Sequence, residues 1–323
     1  MDELSPSAES GTIEMFSTVE LALLIGGVGA IILLLFYHRK HPPNIPVLVT
    51  RIGSRAISFV EIYAIILLYL FLFILAMFSG RFFYAHQIPS ARLVIALIIY
   101  SIVSFFMFAN TWRREDTLAN GFGLGYRQIK YLALAPLFYL ALVPLLMLSV
   151  ALMKWMGYAL PLQETARQFV ESSQAQRILF AVMAIIAAPF FEELLFRGIL
   201  FPALLKRTGL ISSTLLVSSL FALLHFHFFV FLILFGMASI FCVLFWPSRN
   251  RWMIGITRMM LILVLGLSAY VTYSSGTLHS FVALMVLSAG TCAAYLRTGS
   301  LWASMGMHAI FNAVTLFSLN GAG

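Results

Sequence analysis

The sequence predicts an all-α protein, a polytopic transmembrane helical bundle of about ten spans (eight to ten). Three observations predict this class. Of the 323 residues, 62% are hydrophobic and only 10% are charged, whereas a soluble domain carries about 25% charged residues. Ten apolar runs approach the roughly 20 residues that a membrane-spanning helix needs. The acidic N-terminus lacks the basic region that opens a signal peptide, so the first run is expected to remain as a span.

The apolar runs follow one another with short polar loops between them. The predicted spans are residues 15–37, 57–79, 92–110, 131–153, 178–203, 210–226, 228–246, 256–273, 277–296 and 300–319. Almost no loop separates the pairs that meet near 226–228 and 273–277. Each of these pairs forms either a tight helical hairpin or a re-entrant element.

Basic side chains are distributed unevenly between the two sides of the predicted bundle. With the N-terminus outside, the inner loops hold Arg39, Lys40, Arg51, Arg55, Arg113, Arg114, Arg127, Lys130, Lys206, Arg207, Arg249, Arg251, Arg258 and Arg297. The outer side holds Arg81, Arg92, Lys154, Arg167 and Arg177. Basic residues accumulate on the cytoplasmic side of membrane proteins. This bias predicts both termini outside the cytoplasm, explains the net charge of +8, and excludes a nucleic-acid partner.

Two further features exclude other kinds of site. Cys242 and Cys292 both lie in apolar segments, so they predict neither a disulfide framework nor a thiolate metal cluster. The spaced glycines of residues 121–131 do not follow a strand, so they do not predict a nucleotide site. This segment is expected to be a flexible cytoplasmic loop.

The fifth span carries ionisable side chains, which are costly in hydrocarbon and therefore usually functional. Glu193 and Arg197 are four residues apart, so they share a helix face and can pair. Glu192 is rotated by about 100° from that face and can point into a cavity. Pro189 lies just upstream and is expected to bend the helix and free backbone groups. As an alternative, Glu193 and Arg197 form only a structural ion pair.

The sixth and tenth spans each carry a polar pair with helical spacing. Phe221 and His225 lie four apart, as do His308 and Asn312. Taken singly, such residues also occur as interhelical hydrogen-bonding groups. Together with the fifth span they supply a general base, imidazoles for proton transfer and donors to an oxyanion, which is enough for hydrolysis. Counted from the cytoplasmic side, His308 lies shallower than His225, so a tilted or broken helix must bring them level.

The same side chains raise the question of a metal. Glu192, His225 and His308 are the candidate ligands, and zinc is the possible metal because it accepts imidazole and carboxylate. The HExxH signature is absent. A site without a resident metal or other cofactor is therefore preferred.

The three motifs EExxxR (Glu192, Glu193, Arg197), FxxxH (Phe221, His225) and HxxxN (His308, Asn312) resemble those of the CPBP intramembrane protease family. This family includes the type II CAAX prenyl endopeptidases and the bacteriocin-immunity (Abi) proteins. The resemblance covers about residues 125–320. It divides the chain into an N-terminal transmembrane region, 1–130, and a CPBP-like protease core, 131–320. The long separation of His225 from His308 predicts a two-span insertion near 228–273.

The resemblance implies an intramembrane endopeptidase in which Glu192 activates a water molecule and His225 assists it. The other motif residues have two implied roles: Glu193 and Arg197 shape the site and its charge, and His308 and Asn312 bind the oxyanion.

The implied partners are a peptide or membrane-protein substrate and the lipid bilayer. The region of the third motif favours a bacterial origin, which predicts the bacterial inner (cytoplasmic) membrane and counts against prenylated substrates. A non-catalytic immunity or chaperone-like protein on the same scaffold is the alternative. A proton-coupled transporter is a third hypothesis, but the sequence shows no inverted repeats to support it.

Overall fold

The computed structural model describes residues 18–85, 91–113, 117–158, 160, 164–226, 230 and 251–321. Of these residues, 90% are helical and none lies in a strand. The predicted all-α class is therefore confirmed.

The helices of the described residues are numbered in chain order. They are α1 (Thr18–Lys40), α2 (Ile45–Gly53), α3 (Phe59–Ala85), α4 (Ala91–Arg113), α5 (Leu118–Phe122), α6 (Ala135–Trp155), α7 (Glu164–Glu171), α8 (Gln174–Thr208), α9 (Leu210–Phe226), α10 (Arg251–Ser274), α11 (Leu278–Thr298) and α12 (Leu301–Gly321). A 3₁₀ helix, Tyr126–Leu134, leads into α6.

Nine of the ten predicted spans fall on these helices. The remaining one, the seventh (228–246), lies outside the described residues except for residue 230. Within the described part of the chain, five helical segments are long and apolar enough to cross a membrane: α1, α4, the joined α5–α6 segment, α8 and α11. Three shorter apolar helices lie in α3, α9 and α10. The protein is thus an integral membrane protein. The number of eight to ten spans and the outside location of both termini stay predictions.

The outer surface of the bundle is apolar. Leu33, Phe78, Phe105, Trp112 and Phe317 each have more than 60% of their surface exposed. In water such a surface would favour aggregation, whereas in a bilayer it contacts lipid tails that are equally apolar. Burial in this protein therefore separates the helix faces that meet one another from those that meet lipid.

Helix α8 lies at the centre of the bundle, where it contacts α2, α4, α9, α11 and α12. Helix α10, the second half of the predicted insertion near 228–273, packs against α9 and α11. The first half lies outside the described residues, so the insertion itself stays a prediction. Residues 191–203 of α8 are all buried by the surrounding helices, whereas Ile178 and Ile186, nearer its start, are exposed on the apolar outer surface.

The glycine-rich segment 121–131 is not the loop expected from the sequence. It forms α5 and the start of the 3₁₀ helix, and Phe122 is buried. Gly123 and Gly299 both adopt the left-handed conformation, with φ of 73° and 68°, which glycine allows at little cost. Ser300 Oγ donates to Gly123 O at 3.0 Å. The segment thus fastens the start of α12 to the start of the α5–α6 region.

Two arginines connect the N-terminal region to the end of α11. Arg51 Nη2 donates to Leu296 O at 3.1 Å. Arg55 Nη1 donates to the Tyr295 hydroxyl and to Gly299 O, both at 2.9 Å. Cations are favoured near the carbonyl end of a helix, where the last carbonyls lack partners. The described part of region 1–130 is therefore packed onto the rest of the bundle.

The contact between α1 and α6 depends on a glycine beside a proline. Pro144 lies inside α6, and because proline has no N–H, it frees the carbonyl of Leu140. Gly27 of α1 packs there: a Cβ atom at this position would lie 2.6 Å from Pro144 Cδ and 2.7 Å from Leu140 O. Small residues allow transmembrane helices to approach this closely.

Gly27→Ala is expected to lower the stability of the bundle by about 1–3 kcal/mol, because the added methyl group overpacks the α1–α6 contact. Gly29→Ala is the matched control, since nothing lies within 4 Å of a Cβ atom there. Thermal unfolding of both variants in detergent measures the difference. Equal midpoints for the two variants would contradict this account of the contact.

Candidate active site

The central helix α8 contains two wide turns that flank its glutamates. At Met183–Ala187 and Leu194–Leu200 the backbone bonds run to the fifth preceding residue. Ala188 N–H, for example, donates to Met183 O. Wide turns of this kind inside α-helices are frequent at functional sites. Here they bracket Glu192 and Glu193 within one continuous helical segment.

Pro189 explains a hydrogen bond that crosses from α12 to the first wide turn. In the register of that turn, residue 189 would donate to Ala184 O, but proline has no N–H. Asn312 Nδ2 donates to Ala184 O instead, at 2.6 Å. An unsatisfied carbonyl in the membrane interior is costly. As predicted, Pro189 frees a backbone carbonyl, and the Asn312 side chain rather than a wet cavity satisfies it. The bend of the helix at Pro189 stays a prediction.

The Glu193 carboxylate connects α8 with α12 directly and with α11 through Arg197. Its Oε1 lies 3.0 Å from Arg197 Nη1 and 3.0 Å from His308 Nδ1. Arg197 Nη2 donates in turn to Ser288 O of α11 at 3.1 Å. Glu193 and Arg197 have no exposed surface and His308 has 2%. The predicted pairing of Glu193 with Arg197 is present, and the pair also fixes a histidine.

The Phe221 ring packs the same groups from the side of α9. The guanidinium carbon of Arg197 lies 4.8 Å from the centre of this ring, a cation–π distance. The His308 ring meets it edge-on at 5.5 Å, and the His225 ring lies 4.7 Å away. Phe221 has no exposed surface. The two imidazoles and the arginine therefore all pack against this one buried ring.

Glu192 faces both imidazoles. Its Oε2 lies 3.5 Å from His225 Nε2 and 3.9 Å from His308 Nε2. Each ring uses its other nitrogen elsewhere: Nδ1 of His225 lies 2.8 Å from Phe221 O, and Nδ1 of His308 contacts Glu193. A carbonyl and a carboxylate only accept, so both Nδ1 atoms carry hydrogen. In the neutral rings, two Nε2 lone pairs and one carboxylate oxygen therefore converge on one point.

The two groups that meet at Glu192 differ in exposure. Glu192 is 7% exposed, whereas the His225 side chain is 30% exposed. Within the described residues, His225 at the end of α9 is therefore the more accessible of the two.

The structure brings together five of the six predicted site residues, and the sixth lies beside them. His225 and His308 both approach the same oxygen of Glu192, so the two helices are level at this point. Asn312 holds the wide turn through Ala184 and does not contact Glu192 directly. Its predicted role in binding an oxyanion stays a prediction.

Three aromatic residues near the site were not predicted from the sequence. Phe191, which precedes Glu192, stacks on Tyr100 of α4 at 4.2 Å and packs against Tyr69 of α3 at 5.3 Å. The sequence contains many tyrosines and phenylalanines in apolar runs. The hydroxyls of Tyr69 and Tyr100, in the middle of predicted spans, were the available signal.

The positions of the side chains bear on whether the site could hold a metal ion. Among the described residues, no group of three or more histidine, cysteine, aspartate or glutamate side chains is arranged to hold a metal ion. Glu192, His225 and His308, the candidate zinc ligands, approach one another without meeting that condition. The preference for a site without a resident metal stays a prediction.

Comparison with known proteins agrees with this geometry. Residues 174–264 and 257–314 match the family described as Rce1-like, type II CAAX prenyl endopeptidase Rce1-like. The matched ranges contain all three motifs, together with α8 to α11 and the first two thirds of α12. No curated protein and no solved structure matches the chain. The match confirms the resemblance to a protease family that the motifs predicted.

Asn312→Leu is expected to lower the free energy of unfolding by about 1–3 kcal/mol, because it leaves the partly buried Ala184 carbonyl without a donor. Pro189→Ala restores a backbone N–H in the wide turn. In the double variant, part of the loss is therefore recovered. Thermal unfolding of the two single variants and the double variant measures the coupling, and strictly additive effects would contradict the assignment.

Proposed function

We propose that this protein, whose residues 174–314 belong to the Rce1-like family of type II CAAX prenyl endopeptidases, hydrolyses peptide bonds of membrane-associated substrates with a water molecule activated by Glu192. One observation carries the proposal. A single carboxylate oxygen, Glu192 Oε2, lies 3.5 Å from His225 Nε2 and 3.9 Å from His308 Nε2 in a buried site.

The convergence of three acceptors suits a water molecule. The separations of 3.5 and 3.9 Å are longer than a strong hydrogen bond, so a water molecule can bridge the groups. A water between the groups donates one hydrogen to Glu192 Oε2 and the other to an imidazole Nε2. Its oxygen lone pair is then directed away from all three acceptors, toward a substrate carbonyl.

The reaction follows from this placement. The water oxygen bonds to the carbonyl carbon, the π electrons of the carbonyl move to its oxygen, and Glu192 takes the proton. When the tetrahedral intermediate collapses, the C–N bond breaks and the leaving amine takes the proton from Glu192. The Nε2 atom of one imidazole, from His225 or His308, accepts the second hydrogen of the water and so fixes its orientation. General base catalysis of this kind contributes about 10²–10⁴-fold.

Glu193 and Arg197 act on the site through His308. Arg197 compensates the charge of Glu193, which would otherwise be buried without a partner. Glu193 in turn fixes the ring orientation of His308 and keeps its Nε2 toward Glu192. A residue that holds a histidine in one tautomer is a recurrent part of hydrolytic sites.

The proposed substrate is a peptide at the membrane surface or within the bilayer. The family name points to a prenylated C-terminal Cys-a-a-X sequence, and the sequence-based expectation of a bacterial inner membrane points to an unprenylated peptide. The apolar outer surface lets either substrate reach the site from the lipid. Eight to ten spans, with both termini outside the cytoplasm, are part of this proposal.

Glu192→Gln is expected to lower kcat by about 10²–10⁴-fold with little change in thermal stability, because the amide keeps the volume of the side chain but cannot take a proton. The assay measures cleavage of fluorogenic peptides, farnesylated and unprenylated, by the purified protein. Glu171→Gln is the matched control, since that carboxylate is exposed on α7 and pairs only with Arg167 at 4.0 Å in the described structure.

The same assay with a chelator distinguishes a metal-free site from one that depends on a metal ion. Activity that depends on Glu192 and survives chelation supports the proposal. Activity lost on chelation would instead make Glu192, His225 and His308 metal ligands. Full cleavage by Glu192→Gln would refute the assignment of the base. A wild-type protein that cleaves none of the peptides, but keeps its cellular function as Glu192→Gln, would favour the non-catalytic partner.

A further inference from the structure

Three arginines outside the proposed active site lie together around the turn between α11 and α12. A Cβ atom at Gly299 in this turn would lie 2.9 Å from Cζ of Arg51, which belongs to α2. Arg55, which follows α2, donates through Nη1 to Gly299 O at 2.9 Å. Arg297 lies in the last turn of α11, two residues before the glycine. Arg51, Arg55 and Arg297 form the basic cluster.

The charges of the basic cluster are close enough to act on one another. Removal of water around its guanidinium, followed by the like charge of Arg55, lowers the pKa of Arg51, and the charge of Arg297 acts in the same direction. An arginine stays charged at neutral pH in spite of such a shift. Three positive charges are thus held near one another, and their repulsion favours the binding of an anion.

The basic cluster has no acidic partner in the described part of the chain, where none of its arginines forms an ion pair with a carboxylate. Glu61, the next acidic residue along the chain from α2, accepts from the N–H and the hydroxyl of Ser58. The segments 37–57, 203–210 and 293–303 contain no aspartate or glutamate. Besides the basic cluster they contain four further cations: Arg39, Lys40, Lys206 and Arg207. The balancing negative charge therefore comes from outside the described residues.

The arginines also have hydrogen-bond donors to spare. Each guanidinium carries five N–H groups, and hydrogen bonds within the described residues use no more than two of each. The bonds of Arg51 and Arg55 to the end of α11 orient these two groups, and Arg297 Nη2 donates to His41 O at 3.4 Å. Oriented guanidinium groups with further donors bind phosphate oxygens through paired, charge-assisted hydrogen bonds.

The basic cluster borders a helix surface that faces lipid. The Arg297 guanidinium carbon lies 5.4 Å from the centre of the Tyr37 ring, near the end of α1. Tyr37 is 52% exposed and Phe36 beside it is 62% exposed. Helix α1 is long and apolar enough to cross a membrane, and its basic end is predicted to be cytoplasmic. An amphiphile whose phosphate meets the arginines can lay its chains along α1, whereas a soluble anion gains nothing from this surface.

We propose that the basic cluster binds the phosphate headgroup of an anionic phospholipid, with the acyl chains of the lipid on the apolar surface of α1. Basic pockets between the cytoplasmic ends of transmembrane helices recognise such headgroups. Because Arg51 and Arg55 also bond the end of α11, the bound lipid stabilises the turn that leads into α12. This inference does not depend on peptide hydrolysis, and its test needs no substrate.

Native mass spectrometry of the full chain in detergent compares the binding of phosphatidylglycerol with that of phosphatidylcholine, which has the same phosphate but no net charge. Wild type is expected to bind the first phosphatidylglycerol molecule about tenfold more tightly than phosphatidylcholine. Arg51→Gln and Arg297→Gln are each expected to lower this preference about fivefold, because each removes one positive charge beside the headgroup. Arg297→Lys keeps the charge and is expected to lower it less than about twofold.

Arg177→Gln is the matched control. Like Arg297, Arg177 donates to a backbone carbonyl, that of Ser172, and packs on an aromatic ring, that of Phe169 at 5.9 Å. It lies near the start of α8, whereas Lys206, beside α2, lies near the end of the same helix, about 40 Å away. This variant is expected to keep the lipid preference within about twofold of wild type. Thermal unfolding without added lipid identifies any variant that is not folded.

Equal binding of the two lipids by wild type would overturn the inference. An equal loss of preference in Arg177→Gln and Arg297→Gln would also overturn it, since net charge rather than the basic cluster would then determine the binding. Inorganic phosphate at the concentration of the lipid is expected to leave phosphatidylglycerol bound. Its displacement would overturn the assignment to a lipid and make the basic cluster a site for soluble phosphate.

Discussion

The arrangement of the site depends on the buried carboxylate of Glu193. It meets Arg197 on its own helix and His308 on α12, each at 3.0 Å. A charge without a partner in this interior would cost several kcal/mol. The helices that carry its partners are therefore held in one relative position. Because His308 donates to Glu193 through Nδ1, its Nε2 faces Glu192, and the geometry proposed for the water molecule follows from this one contact.

The backbone of α8 departs from a regular α-helix on both sides of Glu192 and Glu193. A regular helix would present Glu192 and Glu193 about 100° apart with no gap in its hydrogen bonding. The wide turns on either side relax that register, and Pro189 leaves Ala184 O for Asn312 to satisfy. The third motif thus contacts α8 at two places. Its histidine binds the Glu193 carboxylate, and its asparagine binds Ala184 O in the first wide turn.

The sequence predicted the local features of the site better than the contacts between helices. The pairing of Glu193 with Arg197 follows from a spacing of four on one helix. That Glu192, His225 and His308 share one site was inferred from their joint occurrence on three spans and from the resemblance, because the distance between helices is not encoded in spacing. The bond from Asn312 to Ala184 and the position of Tyr69 depend on the register between helices. In runs that are apolar all round, no pattern shows which face looks inward, so these contacts could not be predicted.

The most direct test of this account is the tautomer of His308 in the neutral ring. Nitrogen-15 NMR of histidine-labelled protein, with His308→Gln used to assign the signals, distinguishes a protonated from an unprotonated ring nitrogen. We expect hydrogen on Nδ1 and a lone pair on Nε2, and we expect Glu193→Gln to disturb this preference. Hydrogen on Nε2 with an unprotonated Nδ1 would contradict the role of Glu193 and with it the placement of the activated water.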